Sequence, residues 1–287
     1  MKLALGTVQF GMNYGLANSS GQVSLDNAEE ILSKARSAGI DIIDTAIAYG
    51  DSEQVLGELD LNGFQVVTKL PEVPVVDEVD NWINEQFSGS LSRLNSSRVH
   101  ALMLHRPTQL MTRIGQDIWD TLIAFKSDGM IEKIGVSIYS PDDLNQIVDR
   151  FPIDLVQTPV NIFDRSFESS GWPEKAQNLG IEIHARSVFL QGLLLMPAVR
   201  RPKKFERWKE LFQKWDQWLV AEGVSPLQAC LRYVESLDFV DKMIVGVDSL
   251  KQMEQILEAA DGVAIEAPAF HATQEKLLIN PARWSEF

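Results

Sequence analysis

Four side chains with complementary chemistry follow short apolar runs of the sequence. Asp44, Lys69 and His105 each end such a run, and Tyr49 comes five residues after Asp44. If the runs are buried strands, all four side chains lie at a strand end or just beyond one. A carboxylate, an ammonium group, an imidazole and a phenol are the groups needed to give a proton to a carbonyl oxygen while another species delivers hydride. The sequence therefore predicts proton transfer at a carbonyl group.

The apolar runs belong to a pattern that extends along the chain. They alternate with longer segments of helical period, which is typical of βα units around a parallel sheet. The pattern predicts eight strands, near residues 3–7, 40–44, 65–69, 101–105, 133–137, 154–158, 182–187 and 242–246. Helices are predicted near residues 25–38, 52–59, 77–94, 115–128, 141–150, 172–179, 204–236 and 249–260, the seventh being split around 222–225. In a barrel of such units the C-terminal strand ends share one rim, where the four side chains should converge.

Composition limits the classes of protein to consider. A chain of 287 residues with 45% hydrophobic residues can bury a large core, and no interior linker divides it, so one domain spanning 1–287 is expected. Acidic residues outnumber basic ones by 40 to 26, which disfavours nucleic acid as a partner. The single cysteine, Cys230, lies in an apolar stretch and is expected to be a buried thiol.

Neither a membrane span nor a signal peptide is expected. No apolar run approaches the ~20 residues of a spanning helix. Too little chain precedes the first apolar run for the core of a signal peptide. These features predict a cytoplasmic protein without a membrane partner.

Asp44, Tyr49, Lys69 and His105 together resemble the catalytic tetrad of the aldo-keto reductase family. Its members reduce aldehydes and ketones with a nicotinamide cofactor inside a (β/α)8 TIM barrel. Further segments resemble family motifs in the family's order, namely 5–11, 135–137, 156–157 and 191–194. The resemblance implies an oxidoreductase that acts on an aldehyde, ketone or sugar.

The resemblance also implies a role for each member of the tetrad. Tyr49 would donate the proton, although a free phenol has a pKa of ~10 and needs a neighbouring cation to stabilise its phenolate. Lys69 would be that cation, and Asp44 would hold it in place. His105 would donate to the carbonyl oxygen and orient the substrate.

Cofactor contacts follow from the same resemblance. Ser137 and Gln157 would contact the nicotinamide amide, and Arg186 stands where many relatives have an aromatic ring. Ile138 replaces an Asn that is common in the family. At the nucleotide end, Asp248 and Gln252 stand where basic residues would favour a 2′-phosphate, so NAD(H) is favoured over NADP(H). The complete set of implied cofactor-binding residues is Gly6, Thr7, Ser137, Gln157, Arg186, Ser187, Gln191, Gly192, Asp248 and Gln252.

Two other interpretations were open for the site. Asp44, His105 and His184 would suit a metal site, but that interpretation leaves Tyr49 and Lys69 without a role, and no metal is expected. A nicotinamide-binding regulatory or scaffold protein with the same barrel and little turnover is the second alternative.

Two further segments invite interpretation. The C-terminal tail, 267–287, is apolar enough to dock on the barrel, either over its rim or against outer helices. A basic cluster, comprising Arg200, Arg201, Lys203 and Lys204, would be a solvated helix entry or a contact for an anionic group.

Overall fold

A closed barrel of eight parallel strands forms the centre of the computed structural model, which describes residues 2–18 and 20–287. Each strand pairs with the next along the chain, and β8 pairs with β1. The strands are β1 (Leu3–Gly6), β2 (Ile42–Asp44), β3 (Gln65–Leu70), β4 (Val99–Leu104), β5 (Ile131–Ser137), β6 (Leu155–Pro159), β7 (Glu182–Arg186) and β8 (Lys242–Gly246). This is the (β/α)8 TIM barrel that the sequence predicted, and the prediction is confirmed.

Helices alternate with the strands on the outside of the barrel. They are α1 (Val8–Gly11), α2 (Leu25–Ser37), α3 (Ser52–Gly57), α4 (Val79–Arg93), α5 (Gly115–Ser127), α6 (Asp142–Ile147), α7 (Trp172–Leu179), α8 (Lys209–Glu222), α9 (Pro226–Glu235), α10 (Leu250–Ala260) and α11 (Lys276–Ile279). Short 3-10 segments occupy Pro107–Met111, Glu168–Ser170, Leu193–Leu195, Ala198–Arg200, Lys203–Trp208, Ala272–Gln274 and Pro281–Glu286. In the described chain, no helix is both long and apolar enough to cross a bilayer.

The long helical segment 204–236 divides where the sequence predicted. Gly223 ends α8 in a left-handed conformation, with φ of 67°, which glycine adopts without steric cost. Ser225 then starts α9 with a capping box. Its side chain accepts from the backbone N–H of Gln228, and its own backbone N–H donates to the Gln228 side chain. The first turns of the segment differ from expectation, because Lys203–Trp208 forms a 3-10 helix before α8 begins.

The barrel interior is apolar in its middle and charged at both ends. Side chains alternate along a strand, so Ile42 and Asp44 point inward together, as do Val67 and Lys69. Beneath the rim, an apolar layer supports the polar side chains; it consists of Ala4, Ile42, Val67, Ala101, Met103 and Leu155.

At the N-terminal end of the barrel, the Glu182 carboxylate contacts a lysine and a histidine side chain. It accepts from Lys133 and lies 2.8 Å from Nε2 of the fully buried His184, whose Nδ1 has no hydrogen-bond partner in the described part of the chain. Although burial opposes the shift, the bonds from His184 and Lys133 lower the pKa of Glu182 to about 2. Lys242 pairs with Asp41 at 2.5 Å on the same end.

The tail packs against the segment that follows β7. Trp284 is buried, and its ring lies 4.9 Å from Phe205, while its carbonyl accepts from Lys204 at 2.9 Å. Phe270 packs against Trp215 of α8, with 5.7 Å between ring centroids. Lys204 of the basic cluster thus anchors the tail, and Arg201 pairs with Asp216 at 2.5 Å.

Candidate active site

Lys69 and Asp44 form a buried ion pair at the end of β2 and β3. Nζ of Lys69 donates to the two carboxylate oxygens of Asp44 at 2.7 and 2.6 Å, and to the carbonyl of Thr45 at 2.9 Å. Nε2 of Gln157 donates to Asp44 Oδ1 at 2.7 Å, a bond that sequence reasoning missed. Burial lowers the pKa of Lys69, and the Asp44 carboxylate opposes that shift. The pair is therefore fully hydrogen-bonded, which a buried charge requires.

Tyr49 lies beside this pair and faces the same cavity as His105. Its ring centroid is 5.0 Å from Lys69 Nζ and 5.8 Å from the centre of the His105 ring. The hydrogen bonds of Lys69 go to Asp44 and Thr45. Its ammonium group therefore contacts Tyr49 over the face of the ring and not through a hydrogen bond. Burial and the charge of Asp44 raise the pKa of Tyr49 above its usual range, which keeps the phenol protonated at neutral pH.

Two glycines hold the Tyr49 loop against α1. A Cβ on Gly11 would lie 1.7 Å from the carbonyl oxygen of Tyr49, and one on Gly50 would lie 2.3 Å from the carbonyl oxygen of Gly11. Gly50 also has a φ of 55°, in the left-handed region that glycine tolerates. The backbone of Asp51 donates to Gly11 at 3.3 Å. Any side chain at position 11 would displace the loop that carries the phenol.

Glu53, which the sequence did not single out, anchors α3 behind the site. It is almost fully buried and accepts from Thr68 and Ser90, each at 2.6 Å, and from Arg93 at 2.7 Å. These bonds tie α3 to β3 and α4. In the sequence the residue is an ordinary acid in the first turn of a helix, so only the packing of α3 shows its role.

His105 is held neutral. Its backbone N–H donates to Leu70 at 3.0 Å, which extends the pairing of β3 with β4 by one residue. Burial, followed by the charges of Lys69 and Arg186, lowers the pKa of His105 to about 3. A neutral imidazole still carries one N–H, so it can donate to a carbonyl oxygen without bringing a charge.

A cavity of about 720 Å³ opens at the rim and joins the predicted residues. That volume is in the range of small-molecule and cofactor sites, ~300–1,000 Å³. Lys69 lies buried beneath the cavity, whereas the other predicted site residues line it: Gly6, Thr7, Asp44, Tyr49, His105, Ser137, Gln157, Arg186, Ser187, Gln191, Gly192, Asp248 and Gln252. Sequence reasoning missed part of the contribution of α1 and the loop that follows it, which add Gln9, Tyr14, Ala17 and Asn18 to the lining.

The loop after β1 meets the loop after β7 beside the cavity. Leu16 donates to the backbone of Gln191 at 3.0 Å, and the Gln191 side chain donates to the Tyr14 hydroxyl at 3.0 Å. Ser187, Leu190 and Gln191 all have left-handed φ values, of 59°, 49° and 52°. Such conformations are costly for residues other than glycine and concentrate at functional sites.

Arg186 ends β7 and lies within the cavity. Its Nη2 donates to the carbonyl of Ile138 at 2.8 Å, and its Nη1 donates to Ser187 Oγ at 3.2 Å. The guanidinium lies over the ring of Tyr139, 4.4 Å from the centroid. Ile138, which replaces the expected Asn, has a buried apolar side chain and serves Arg186 through its carbonyl group.

At the nucleotide end, Asp248 and Gln252 bind each other. Nε2 of Gln252 donates to Asp248 Oδ2 at 3.3 Å, and the Asp248 backbone N–H donates to Oε1 of the Gln252 side chain at 2.8 Å. Burial raises the pKa of Asp248, and the bond from Gln252 opposes it. Among the described residues that line the cavity, the only lysines or arginines are Arg106 and Arg186, and neither belongs to β8 or α10.

Asp44, His105 and His184 do not come together as a set of metal ligands. His184 turns to Glu182 at the opposite end of the barrel from His105. Within residues 2–18 and 20–287, His, Cys, Asp and Glu side chains do not assemble in threes as a metal site would require.

Comparison with known proteins places the chain in a family. The model of the aldo/keto reductase family matches residues 2–275, and the chain belongs to that family. The uncharacterized oxidoreductase YqkF of Bacillus subtilis (strain 168) is 24% identical over 95% of both chains. Oxidoreductase sirO of Leptosphaeria maculans is 24% identical over 89% of this chain and 87% of its own length. The aldo-keto reductase AKR11C1 from Bacillus halodurans, in its holo form, has the same fold, with a TM-score of 0.73 at 20% identity over 98% of this chain and 92% of its own.

Family membership makes the protein an oxidoreductase. Members of the family use nicotinamide cofactors, typically NADPH, and act on small carbonyl substrates. The comparisons give no support to the NAD(H) preference expected from Asp248 and Gln252.

Proposed function

We propose that this protein reduces the carbonyl group of an aldehyde, ketone or sugar at the rim of the barrel, or oxidises the corresponding alcohol, with Tyr49 as general acid and base. The observation that carries the proposal is the Lys69–Asp44 pair beside Tyr49, with His105 facing the same cavity. A scaffold needs no such assembly, because a buried ion pair rarely stabilises a fold more than apolar residues would.

Each of the four side chains of the tetrad has a different role in the proposed proton transfer. Tyr49 holds the proton at its hydroxyl, and its raised pKa keeps that proton in place until a carbonyl oxygen gains charge. The charge of Lys69 favours the phenolate that forms, and Asp44 fixes Lys69 in position. Neutral His105 donates a hydrogen bond to the same oxygen and orients the carbonyl group.

The residues around the cavity fit a nicotinamide cofactor. Two buried polar atoms at the rim, Gln9 Oε1 and Arg186 Nε, have no hydrogen-bond partner among the described residues and can bind a ligand. Ser137, Gln157 and the floor residues Gly6 and Thr7 would hold the nicotinamide. A bound nicotinamide supplies the hydride, because no side chain can.

The choice between the two nicotinamides also belongs to the proposal. Asp248 lines the cavity and carries a carboxylate, which accepts from a ribose hydroxyl and repels a 2′-phosphate. The absence of Lys and Arg from the described β8 and α10 lining adds to this argument. Both features favour NAD(H), against the usual NADPH preference of the family.

A screen for turnover tests the proposed function. The purified chain is incubated with aldehydes, ketones and sugars together with NADH or NADPH, and consumption of the reduced nicotinamide is followed by absorbance. We expect turnover with at least one carbonyl class. Nicotinamide binding by fluorescence without turnover of any carbonyl would favour the regulatory or scaffold alternative, and absence of binding would contradict both.

A further inference from the structure

Arg186 is a cation in the cavity without a carboxylate partner. Within residues 2–18 and 20–287, its hydrogen bonds go to the Ser187 hydroxyl and the Ile138 carbonyl group, and neither acceptor is a carboxylate. Arg106, the other cation lining the cavity, is different, because its side chain is largely exposed and has Glu72 at 3.9 Å. A partly buried charge without a counterion is costly, so a ligand that supplies the counterion would be favoured.

The guanidinium is already held in place. Its bonds to Ile138 and Ser187, and the Tyr139 ring beneath it, fix both its position and its plane. A guanidinium has five N–H groups, and these two bonds leave three of them free. One of the three is on Nε, which is buried and has no hydrogen-bond partner within residues 2–18 and 20–287. A carboxylate can bind a guanidinium through two parallel hydrogen bonds. Because this guanidinium is already positioned, little side-chain entropy is lost when the carboxylate binds.

The charges of the site do not balance without an anion. Asp44 neutralises Lys69, Tyr49 is protonated, and His105 is neutral. None of these groups neutralises Arg186, whose charge also acts on the buried carboxyl group of Asp164, a residue outside the cavity lining. The chain as a whole has a net charge of −14, so an isolated cation here is not part of a general basic surface.

The charge of Arg186 acts on the end of the cavity where a carbonyl group would react. Arg186 ends β7 and lines the same cavity as Tyr49 and His105. Its charge lowers the pKa of Tyr49, Lys69 and His105, in each case as a smaller contribution than burial. Asp248 and Gln252, by contrast, lie after β8 and in α10. The anion that Arg186 binds is thus expected on the molecule whose carbonyl group faces Tyr49.

We propose that the substrate is an anionic carbonyl compound, an aldehyde or ketone that carries a carboxylate, and that the carboxylate pairs with Arg186. This inference rests on the function proposed above for the same site. Arg186 would select the substrate, and Tyr139 and Ile138 would position its guanidinium.

Matched substrates test this selection. Succinic semialdehyde and 4-carboxybenzaldehyde are each compared with their methyl esters, which keep the carbonyl group and lose the charge. In the wild type, kcat/KM for each acid should exceed that for its ester by about 10- to 100-fold, the range expected for charged hydrogen bonds. Arg186→Gln should abolish most of that ratio, and Arg186→Lys should retain part of it. Arg106→Gln is the control, since it removes a lining cation that is exposed and should leave the ratio as it is.

A binding measurement keeps the inference separate from the proposed function. Titration of succinate into the protein by calorimetry, with and without a saturating nicotinamide, should give binding that Arg186→Gln weakens at least tenfold and Arg106→Gln does not. If the protein turns over no carbonyl compound, the proposed function fails, and succinate binding still decides whether Arg186 holds a carboxylate. Equal kcat/KM for acids and esters in an active wild type would overturn the inference. So would an Arg186→Gln protein that loses nicotinamide affinity and keeps the acid-to-ester ratio, because Arg186 would then bind the cofactor.

Discussion

At the rim of the barrel Asp44 accepts two bonds from the buried Lys69, and at the opposite end Glu182 accepts from Lys133 and His184. Both clusters combine a carboxylate with a lysine on neighbouring or nearby strands. Only the cluster at the rim borders the large cavity, where Tyr49 and other polar groups remain free to bind a ligand.

The two histidines show the same contrast. His184 is fully buried and directs one ring nitrogen to Glu182. His105 is partly buried, and its ring faces Tyr49 across the cavity. Burial and charge are therefore common to both ends of the barrel. The difference lies in hydrogen-bonding capacity that faces open space, and for that reason we propose the rim as the reactive end.

Removing the phenol should have the largest effect on the reactive end. Tyr49→Phe should lower turnover by a factor on the order of 10²–10⁴, because the general acid is lost. Nicotinamide binding and the thermal unfolding midpoint should stay close to the wild-type values, since the ring still packs against its neighbours. Steady-state kinetics, fluorescence titration and thermal unfolding check the three quantities. An active Tyr49→Phe protein would remove Tyr49 from the proposed mechanism.

Neutralising one carboxylate at each end compares the two clusters directly. Asp44→Asn should lower both turnover, by about 10- to 100-fold or more, and stability, because Lys69 loses its counterion. Glu182→Gln should lower the free energy of unfolding by about 1–3 kcal/mol, and kcat/KM should remain near the wild-type value. Urea unfolding and kinetics on the two variants measure these effects. A Glu182→Gln protein that folds well and has lost turnover would contradict the division between the ends.

The two ends should also respond differently to acid. His105 has a folded pKa of about 3, below its ordinary value, so the unfolded chain binds more protons and stability falls as pH drops from about 6.5 to about 3. Glu182 has a folded pKa of about 2, and its contribution is lost at lower pH, from about 4.5 downward. His105→Gln should therefore flatten the stability profile between about pH 4.5 and 6.5. Thermal unfolding at a series of pH values measures it, and an unchanged slope in His105→Gln would show that His105 is not the group responsible.

The smallest expected effect concerns the nucleotide end of the cavity. Asp248→Ala removes the carboxylate that faces the expected ribose, so affinity for NADPH should rise relative to NADH by about three- to tenfold. Calorimetry with both nicotinamides measures the ratio, and Glu254→Ala, which removes an exposed acid of α10, is the control. A wild type that binds NADPH at least tenfold more tightly than NADH would reject the NAD(H) part of the proposal.

The sequence by itself determined the barrel and the approximate location of its rim. Alternating apolar runs and helical segments are local patterns, and parallel strands joined by helices must place their C-terminal ends together. Asp44, Lys69 and His105 could be assigned to one rim for that reason, and the family motifs added Tyr49, Ser137 and Gln157.

Contacts between distant residues were decided only by the tertiary structure. Gln157 bonds to Asp44 across 113 positions of sequence, and no local pattern encodes that distance. The approach of Gly11 to Gly50, the burial of Glu53 and the hydrogen bonds of Arg186 likewise depend on which elements pack together. The periodicity of the sequence specifies which face of a helix or strand is buried. Packing decides which residues contact that face. Those contacts set the charge state of each side chain and the hydrogen bonds that it leaves free.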